Sequence, residues 1–282
     1  MQRKNRVLLR KIIFGWLMVL ACRGVAAETL DYRLAYRGLF TFFIWKELAD
    51  VRLLAEAGDQ GRCELAMQLT TQNHALAEAV RPTRYLWWSR SSGGPERVEA
   101  VVIRDLGPKA LEVRLGLVSG DRLRYYKRDF EPPPARAERF EPLEGHRPHP
   151  ALRLRRRKTL PAGRLLDPLG FVARARWHDY RQGGFEAPVL YKDELRRYRA
   201  HLVGRTTLKL GGRRLPTLEV HFSRSPPGEA RHEGFMRVWF SDDERRLPLR
   251  FRIRGRVGAL EVTLRPKSLD ADRVPAVCRP LS

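Results

Sequence analysis

Apolar and polar residues alternate along the chain from residue 30 onward. Leu30, Tyr32 and Leu34 are separated by single residues that are polar or small, and this period of two predicts a β-strand with one buried face. Similar patterns predict further strands in these segments: 45–56, 63–69, 98–104, 111–118 and 123–127. The first three strands predict an antiparallel meander. Residues 74–89 fit either a helix interrupted at Pro82 or a strand.

Short alternating segments also dominate the second half of the chain. They cover residues 195–203, 206–210, 215–222, 235–241, 247–254 and 259–264. Strands at this spacing predict an antiparallel sheet or barrel. Before them, Asp167 and Pro168 are typical of a helix N-cap and a first helical position, so we expect a short helix that ends near Gly183.

These patterns together predict a mostly β fold: an antiparallel curved sheet, barrel or half-barrel, with one or two short helices. We expect one domain over residues 28–265, because all-β domains often reach about 200–250 residues, followed by a C-terminal tail over residues 266–282. Residues 128–161 break the pattern with a triple proline at 132–134 and further prolines beyond it. We interpret this segment as a Pro/Arg-rich inserted surface loop.

The first 27 residues have the organisation of a secretory signal peptide. Basic residues precede an uncharged run over residues 12–21, and small residues precede Glu28. This order predicts cleavage after Ala27 and a mature protein in the periplasm. One alternative is an uncleaved anchor, although the uncharged run is too short for a hydrocarbon core of about 30 Å. The other is a lipoprotein signal, in which Cys22 is lipidated and holds the protein on a membrane.

The chain is strongly basic, with a formal net charge of +23 and 55 Lys and Arg residues. Such an excess is typical of proteins that bind nucleic acid or anionic membranes. The basic residues are scattered along the chain, however, which favours a solvated surface. The densest cluster is a candidate contact for polyanions and consists of Arg153, Arg155, Arg156, Arg157 and Lys158. Outside the cytoplasm the polyanions within reach are lipid headgroups and cell-wall polymers, so a partner of this cluster would be a lipid or anionic envelope surface and not nucleic acid. A merely solvated loop is the favoured interpretation, and the partner stays open.

Cys63 and Cys278 are the two cysteines that remain after either processing route. An even number of cysteines in an oxidising compartment permits a disulfide between them, and two unpaired thiols are the alternative. The chain has no Cys-x-x-Cys motif, so the cysteine spacing does not indicate redox catalysis or a zinc ribbon.

Three short stretches form a set that is characteristic of one family. They are Asp167-Pro168-Leu169, the segment 236–250 with its Ser-Asp and Leu-Pro pairs, and the opening strand at 34–38. They resemble the Asp-Pro-Leu-Ser element, the strand-turn-strand signature and the first strand of exported bacterial proteins classified as a domain of unknown function, DUF3108. The resemblance covers roughly residues 30–265. It implies a periplasmic, mostly β protein and brings no catalytic residues.

Two further clusters contain residue types that carry chemistry. Asp242, Asp243 and Glu244 could bind a cation or share a proton, but acidic residues between two predicted strands are typical of a solvated turn. His146 and His149 have a spacing compatible with metal binding, but they lie among prolines without a Cys or carboxylate partner. We therefore predict no catalytic, cofactor-binding or metal-binding residues.

The leading hypothesis is a non-enzymatic cell-envelope protein that binds an apolar or amphiphilic ligand or a partner protein. Its basis is that a β-sheet rich in aromatic residues can enclose an apolar cavity. The alternative is an envelope enzyme acting on lipid or cell-wall polymer, which needs a cleft with convergent polar groups. A second alternative, a polyanion or nucleic-acid binder, depends on the basic charge alone.

Replacing the five basic residues from Arg153 to Lys158 with Gln tests whether this cluster docks on an anionic surface. Each cation near such a surface contributes about 1 kcal/mol, and the attraction fades within about 8 Å at physiological salt. We expect weaker binding to vesicles containing anionic lipid at an unchanged melting temperature, because solvated side chains contribute little to a core. Vesicle sedimentation measures the binding, and equal binding of both proteins at low salt would contradict the expectation.

Overall fold

The computed structural model describes residues 27–38, 46–71, 84–134, 137, 140–144, 147–161, 163–224, 233–255, 258–270 and 274–280. The predicted signal peptide lies outside the described residues except for Ala27, and Cys22 and His146 also lie outside them.

Fourteen strands form one antiparallel sheet. They are β1 (Ala27–Gly38), β2 (Lys46–Ala57), β3 (Cys63–Thr71), β4 (Arg84–Ser91), β5 (Val98–Leu106), β6 (Leu111–Ser119), β7 (Arg122–Phe130), β10 (Arg153–Thr159), β11 (Phe185–Tyr191), β12 (Glu194–Leu210), β13 (Arg213–Arg224), β14 (Glu233–Ser241), β15 (Pro248–Gly255) and β16 (Gly258–Leu264). Strands β8 (Leu143–Glu144) and β9 (Arg147–Pro148) pair separately, and the described residues contain one α-helix, α1 (Pro168–Trp177).

The sheet joins two meanders at its centre. Its order is β10-β7-β6-β5-β4-β3-β2-β1-β16-β15-β14-β13-β12-β11, so almost every strand pairs with a neighbour in sequence. The exception at the centre is the pair of β1 and β16, in which Tyr32 faces Leu264 and Gly38 faces Gly258. The prediction of a mostly β fold with a curved antiparallel sheet is confirmed, and the sheet keeps two edge strands, β10 and β11.

Outside the proline-rich segment, the structure settles or changes three of the strand predictions. Residues 84–91 form β4, so the second half of the ambiguous segment 74–89 is a strand. Strand β11 was not predicted, because Pro188 interrupts its pattern; a proline is tolerated there because β11 is an edge strand. Strand β12 is continuous where two strands were predicted, with a bulge between Leu202 and Gly204.

The helix α1 packs on one face of the sheet, which we call the inner face. Phe171 of α1 is buried among the rings of Phe185, Tyr198 and Phe222, at centroid distances of 5.1 to 5.4 Å. Alternate residues of β1, β2 and β12–β16 complete this main core. The period-two pattern thus points one set of apolar side chains at the helix and the other set of side chains away from it.

A two-residue segment before α1 connects distant parts of the sheet. Leu165 forms a parallel bridge with Arg97, next to the start of β5, and Leu166 forms one with Val189 of the edge strand β11. Both leucines are buried, together with Leu190. Because the segment pairs on both sides, it holds β11 close to β5 and the sheet curls around the helix.

The proline-rich segment is not simply a surface loop, so this prediction was wrong in part. Val102 of β5 and Val113 of β6 belong to a second core on the outer face of the sheet, and Ala137 and Leu152 are buried against it. The Arg104 guanidinium also donates a hydrogen bond to the carbonyl oxygen of Ala137. Strand β5 is apolar on both faces, so its outer side chains also have to be removed from water. The proline-rich segment covers them.

The basic cluster is likewise not a loop but the edge strand β10, which pairs with β7. All seven residues of β10 are exposed. Charged side chains on an edge strand hinder pairing with another chain. This structural role explains the presence of the basic cluster without any ligand. Arg156 also forms an ion pair with Asp193, in the turn between β11 and β12.

The C-terminal tail packs back on the sheet. Cys278 forms a disulfide with Cys63 at the start of β3, with a Cα–Cα distance of 4.9 Å. Val274 and both cysteines are buried, and the Ser268 hydroxyl accepts a hydrogen bond from the backbone N–H of Asp31. The structure therefore contains the disulfide that the sequence permits. It does not have the alternative, two unpaired thiols.

Reduction of this disulfide should lower the melting temperature. The bond closes a loop with a sequence separation of 215 residues, for which the chain-entropy model gives about 5 kcal/mol, or about 10 °C for a domain of this size. Differential scanning calorimetry with and without a thiol reductant measures the shift. The double variant Cys63→Ala/Cys278→Ala is the control, since its melting temperature should already be low and should not respond to reductant.

Candidate functional site

An apolar cavity of about 500 Å³ lies between α1 and the inner face of the sheet. Side chains of β1–β4, β11–β16, α1 and the C-terminal tail line it, and nearly all of them are aliphatic or aromatic. Among the described residues, its charged lining groups are Glu28, Arg176 and Arg224. The cavity is therefore suited to an apolar molecule, with polar groups only at particular positions.

The cavity exists because the helix is too short to cover the sheet. The ten residues of α1 span about 15 Å, whereas the twelve residues of β1 span about 40 Å. Inner-face side chains beyond the helix are consequently only half-buried, among them Leu53, Met67, Leu69, Met236 and Leu260. Their exposed surface forms much of the cavity wall.

Asp167 fixes the position of α1 within the sheet. Its carboxylate accepts hydrogen bonds from the backbone N–H groups of Leu169 and Gly170, at 3.2 and 2.9 Å, and from Nε1 of Trp87 in β4, at 2.9 Å. Burial raises the pKa of Asp167 above its ordinary value, while these hydrogen bonds act in the opposite direction. The predicted N-cap is confirmed, and it also ties the helix to the cavity wall, where the Trp87 ring stacks on Tyr191.

A buried ion pair lies at one end of the cavity, which we call the disulfide end. Arg176 Nη1 and Nη2 donate to the two carboxylate oxygens of Glu28 at 2.5 and 2.9 Å. Arg176 also donates to the carbonyl oxygen of Arg245. The Arg176 and Glu28 side chains are only 7% and 3% exposed, and Val274 and Cys278 of the tail complete the wall.

The opposite end, which we call the Arg224 end, has a different electrostatic character. Arg224 is the last residue of β13 and faces Tyr198 of β12 in the register. Its guanidinium lies over the Phe235 ring, at 5.3 Å from the centroid. Burial raises the pKa of the Tyr198 hydroxyl. The nearby charge of Arg224 acts in the opposite direction. This end therefore combines a cation, a phenol and an aromatic ring at the edge of apolar surface.

The structure does not bring the other sequence-derived candidates to the cavity. Arg153, Arg155, Arg156, Arg157 and Lys158 lie on β10, and none of them lines the cavity. Asp243 organises the turn after β14, because its carboxylate accepts from the Ser241 hydroxyl and from two backbone N–H groups. The rings of His149 and Phe140 pack against each other in the proline-rich segment, with their centroids 4.7 Å apart.

Three features of the structure were missed in the sequence. The Glu28–Arg176 pair joins residues 148 positions apart, and no local pattern indicates such a contact. Arg224 follows Phe222 with the period of the strand, so its inward direction was readable but its place in a cavity was not. His201 and His221, which look isolated in the sequence, face each other across β12 and β13 with ring centroids 5.1 Å apart.

The fold is one curved antiparallel sheet of fourteen strands that keeps two edges, with an apolar cavity between the sheet and α1. Residues 145–265 match the model of a family described as a protein of unknown function, DUF3108, so the predicted resemblance is confirmed over that part of the chain. No curated protein matches the chain. A solved structure with some similarity is a beta-barrel-like protein of domain of unknown function DUF1849 from Brucella abortus, with 6% identity, a TM-score of 0.40 and coverage of 85% of this chain and 96% of that chain.

The helix α1 is too short to cross a membrane. The described residues contain no other helix that is long and apolar enough to do so.

Removing one partner of the buried ion pair should destabilise the protein strongly. Glu28→Gln or Arg176→Met leaves the other group without its charge partner in a buried site, which costs about 3 kcal/mol or more. The double variant Glu28→Gln/Arg176→Met should lose clearly less than the sum of the two single losses. Urea denaturation measures each free energy of unfolding. As a control, Arg197→Met breaks an ion pair with Glu186 in which the arginine side chain is 75% exposed, so we expect little change in the free energy of unfolding. Additive losses for Glu28→Gln and Arg176→Met would contradict the coupling.

Proposed function

We propose that this protein is a non-enzymatic component of a bacterial cell envelope that binds an apolar or amphiphilic ligand in the cavity around α1. The observation that carries the proposal is the cavity itself. Its volume of about 500 Å³ lies within the range of about 300–1,000 Å³ that is typical of small-molecule sites. Its lining is almost wholly apolar, so transfer of an apolar chain from water to this site is favourable.

The envelope location is supported by the sequence and by two features of the fold. The predicted cleavage after Ala27 removes the charged and apolar leader and leaves Glu28 in β1, where it pairs with Arg176. A disulfide between Cys63 and Cys278 is of the kind that persists in an oxidising compartment. Lipidation at Cys22 is the alternative form of processing, and it is equally compatible with the start of β1 at Ala27.

A variant that fills the cavity should lose ligand binding. Ala173 of α1 lines the cavity and is only partly buried, so the Phe side chain of Ala173→Phe should occupy space that the ligand needs. We expect Nile red, a neutral apolar probe whose fluorescence rises in apolar surroundings, to bind the delipidated wild type. Its affinity for Ala173→Phe should be about ten-fold lower, equivalent to about 1.4 kcal/mol.

The matched control is Val203→Phe, which adds bulk at a residue that is 54% exposed. This variant should bind Nile red like the wild type. Native mass spectrometry of protein purified from its own envelope tests the same proposal by detecting a co-purified ligand. The proposal fails if the wild type does not bind Nile red, or if Ala173→Phe binds it as well as the wild type does.

A further inference from the structure

We propose that the protein binds a phosphomonoester group in a cationic cleft between the edge strand β10 and the turn that follows the other edge strand, β11. The cleft has a volume of about 530 Å³ and is open to solvent. The described residues that line it differ from those that line the apolar cavity. The cleft is therefore a separate site, and the proposal does not depend on the proposed function.

The cleft lies where the curvature of the sheet brings its two edges together. One rim is β10, which contributes Arg155 and Arg156, and the other is the turn between β11 and β12, which contributes Lys192 and Asp193. The Arg156 guanidinium forms an ion pair with the Asp193 carboxylate at 2.9 Å. This pair joins the two rims, so cations from both edges of the sheet border the same space.

The floor of the cleft is formed by β6 and β7. Arg114 of β6 lies opposite Lys127 of β7 in the register, and Tyr125 precedes Lys127 by one period of the strand. The Arg114 and Lys127 side chains are 19% and 30% exposed, whereas that of Arg156 on the rim is 66% exposed. Charges that are partly removed from water interact more strongly with an anion than fully solvated charges do. The floor is thus the part of the cleft that would bind an anion most strongly.

The described groups give the cleft a net positive charge. Its lining contains five cations and one carboxylate, which belongs to Asp193. Two further carboxylates, those of Glu112 and Asp129, form ion pairs with cations of the floor. Five cations against these three carboxylates leave a charge of +2. The register partners of the lining residues on β6, β7 and β10 all belong to the described part of the chain.

Tyr125 contributes a neutral hydrogen-bond donor to the floor. Its side chain is buried, and this burial raises the pKa of its hydroxyl to about 12. The hydroxyl therefore keeps its proton at neutral pH and can donate it to a phosphate oxygen. The charges of Arg114, Asp193 and Arg156 all act on this hydroxyl. The donor and the charged groups consequently converge on one space.

A phosphomonoester fits these groups better than other common anions do. Its second pKa is about 6, so at neutral pH it carries a charge of about −1.5 to −2 and has three strong acceptor oxygens. A phosphodiester or a carboxylate carries a single charge. Arginine guanidinium groups bind phosphate oxygens through paired, charge-assisted hydrogen bonds. A lipid with a terminal phosphate and a soluble phosphorylated molecule both present this group, and the chemistry of recognition is the same for both.

NMR titration of the backbone amides with methyl phosphate and with dimethyl phosphate tests the proposal, because the two probes differ in their second negative charge. The wild type should bind methyl phosphate about ten-fold more tightly than dimethyl phosphate at neutral pH. This preference should shrink as the pH falls through about 6, because the monoester then takes up a proton. The amides that respond should lie around the cleft.

The double variant Arg155→Gln/Lys192→Gln should weaken methyl phosphate binding about ten-fold. The matched control is Arg153→Gln/Arg157→Gln, which also removes two charges but at residues of β10 that do not line the cleft. It should bind methyl phosphate like the wild type at physiological salt, where attraction fades within about 8 Å. Tyr125→Phe removes only the neutral donor, so its affinity should lie between those of the wild type and the cleft variant.

Sedimentation with phosphatidylcholine vesicles distinguishes the two sources of the phosphate. Phosphatidic acid has a phosphomonoester head group, whereas phosphatidylglycerol is a phosphodiester. A preference for vesicles with phosphatidic acid that is lost in Arg155→Gln/Lys192→Gln assigns a lipid, and methyl phosphate binding without this preference assigns a soluble molecule. The proposal is overturned if methyl phosphate does not bind, if both methyl esters bind equally, or if the two double variants lose the same affinity.

Discussion

Among the described residues, one helix of ten residues covers the apolar inner face of a fourteen-stranded sheet, and the rest of the structure depends on this mismatch. Each Å² of apolar surface left in water costs about 25 cal/mol, so other segments contribute to the covering. Leu165 and Leu166 hold the edge strand β11 in place, and the tail that contains Cys278 closes one end. The part of the inner face that the described segments leave uncovered is the cavity.

The buried charged groups determine where the helix lies more than they stabilise the fold. Asp167 binds the start of α1 to Trp87, and Arg176 near its end is bound to Glu28. Burying a charge costs desolvation free energy, and the attraction to its partner offsets this cost only in part. Such groups therefore contribute little net stability. They do, however, make every other position of the helix unfavourable, because a shift would leave a charge unpaired in the core. A fixed helix gives the cavity a defined shape.

The two ends of the cavity differ in a way that bears on function. At the disulfide end the charged groups satisfy each other, as Glu28 and Arg176 do. At the Arg224 end a cation lies beside an aromatic ring and a phenol. A ligand bound in the proposed site would therefore meet different polar groups at the two ends.

The sequence by itself determined the elements whose signals are local. The alternation at Leu30, Tyr32 and Leu34 predicts β1 because a strand repeats every two residues, and Asp167-Pro168 predicts the helix start because capping involves adjacent groups. Only the tertiary structure decided the long-range features. The run Val101-Val102-Ile103 indicated a strand that is apolar on both faces, but it could not show that the proline-rich segment covers the outer one. The contact of Glu28 with Arg176, the cavity and the place of Arg224 beside it arise from how the sheet curls, and no local residue pattern encodes that curvature.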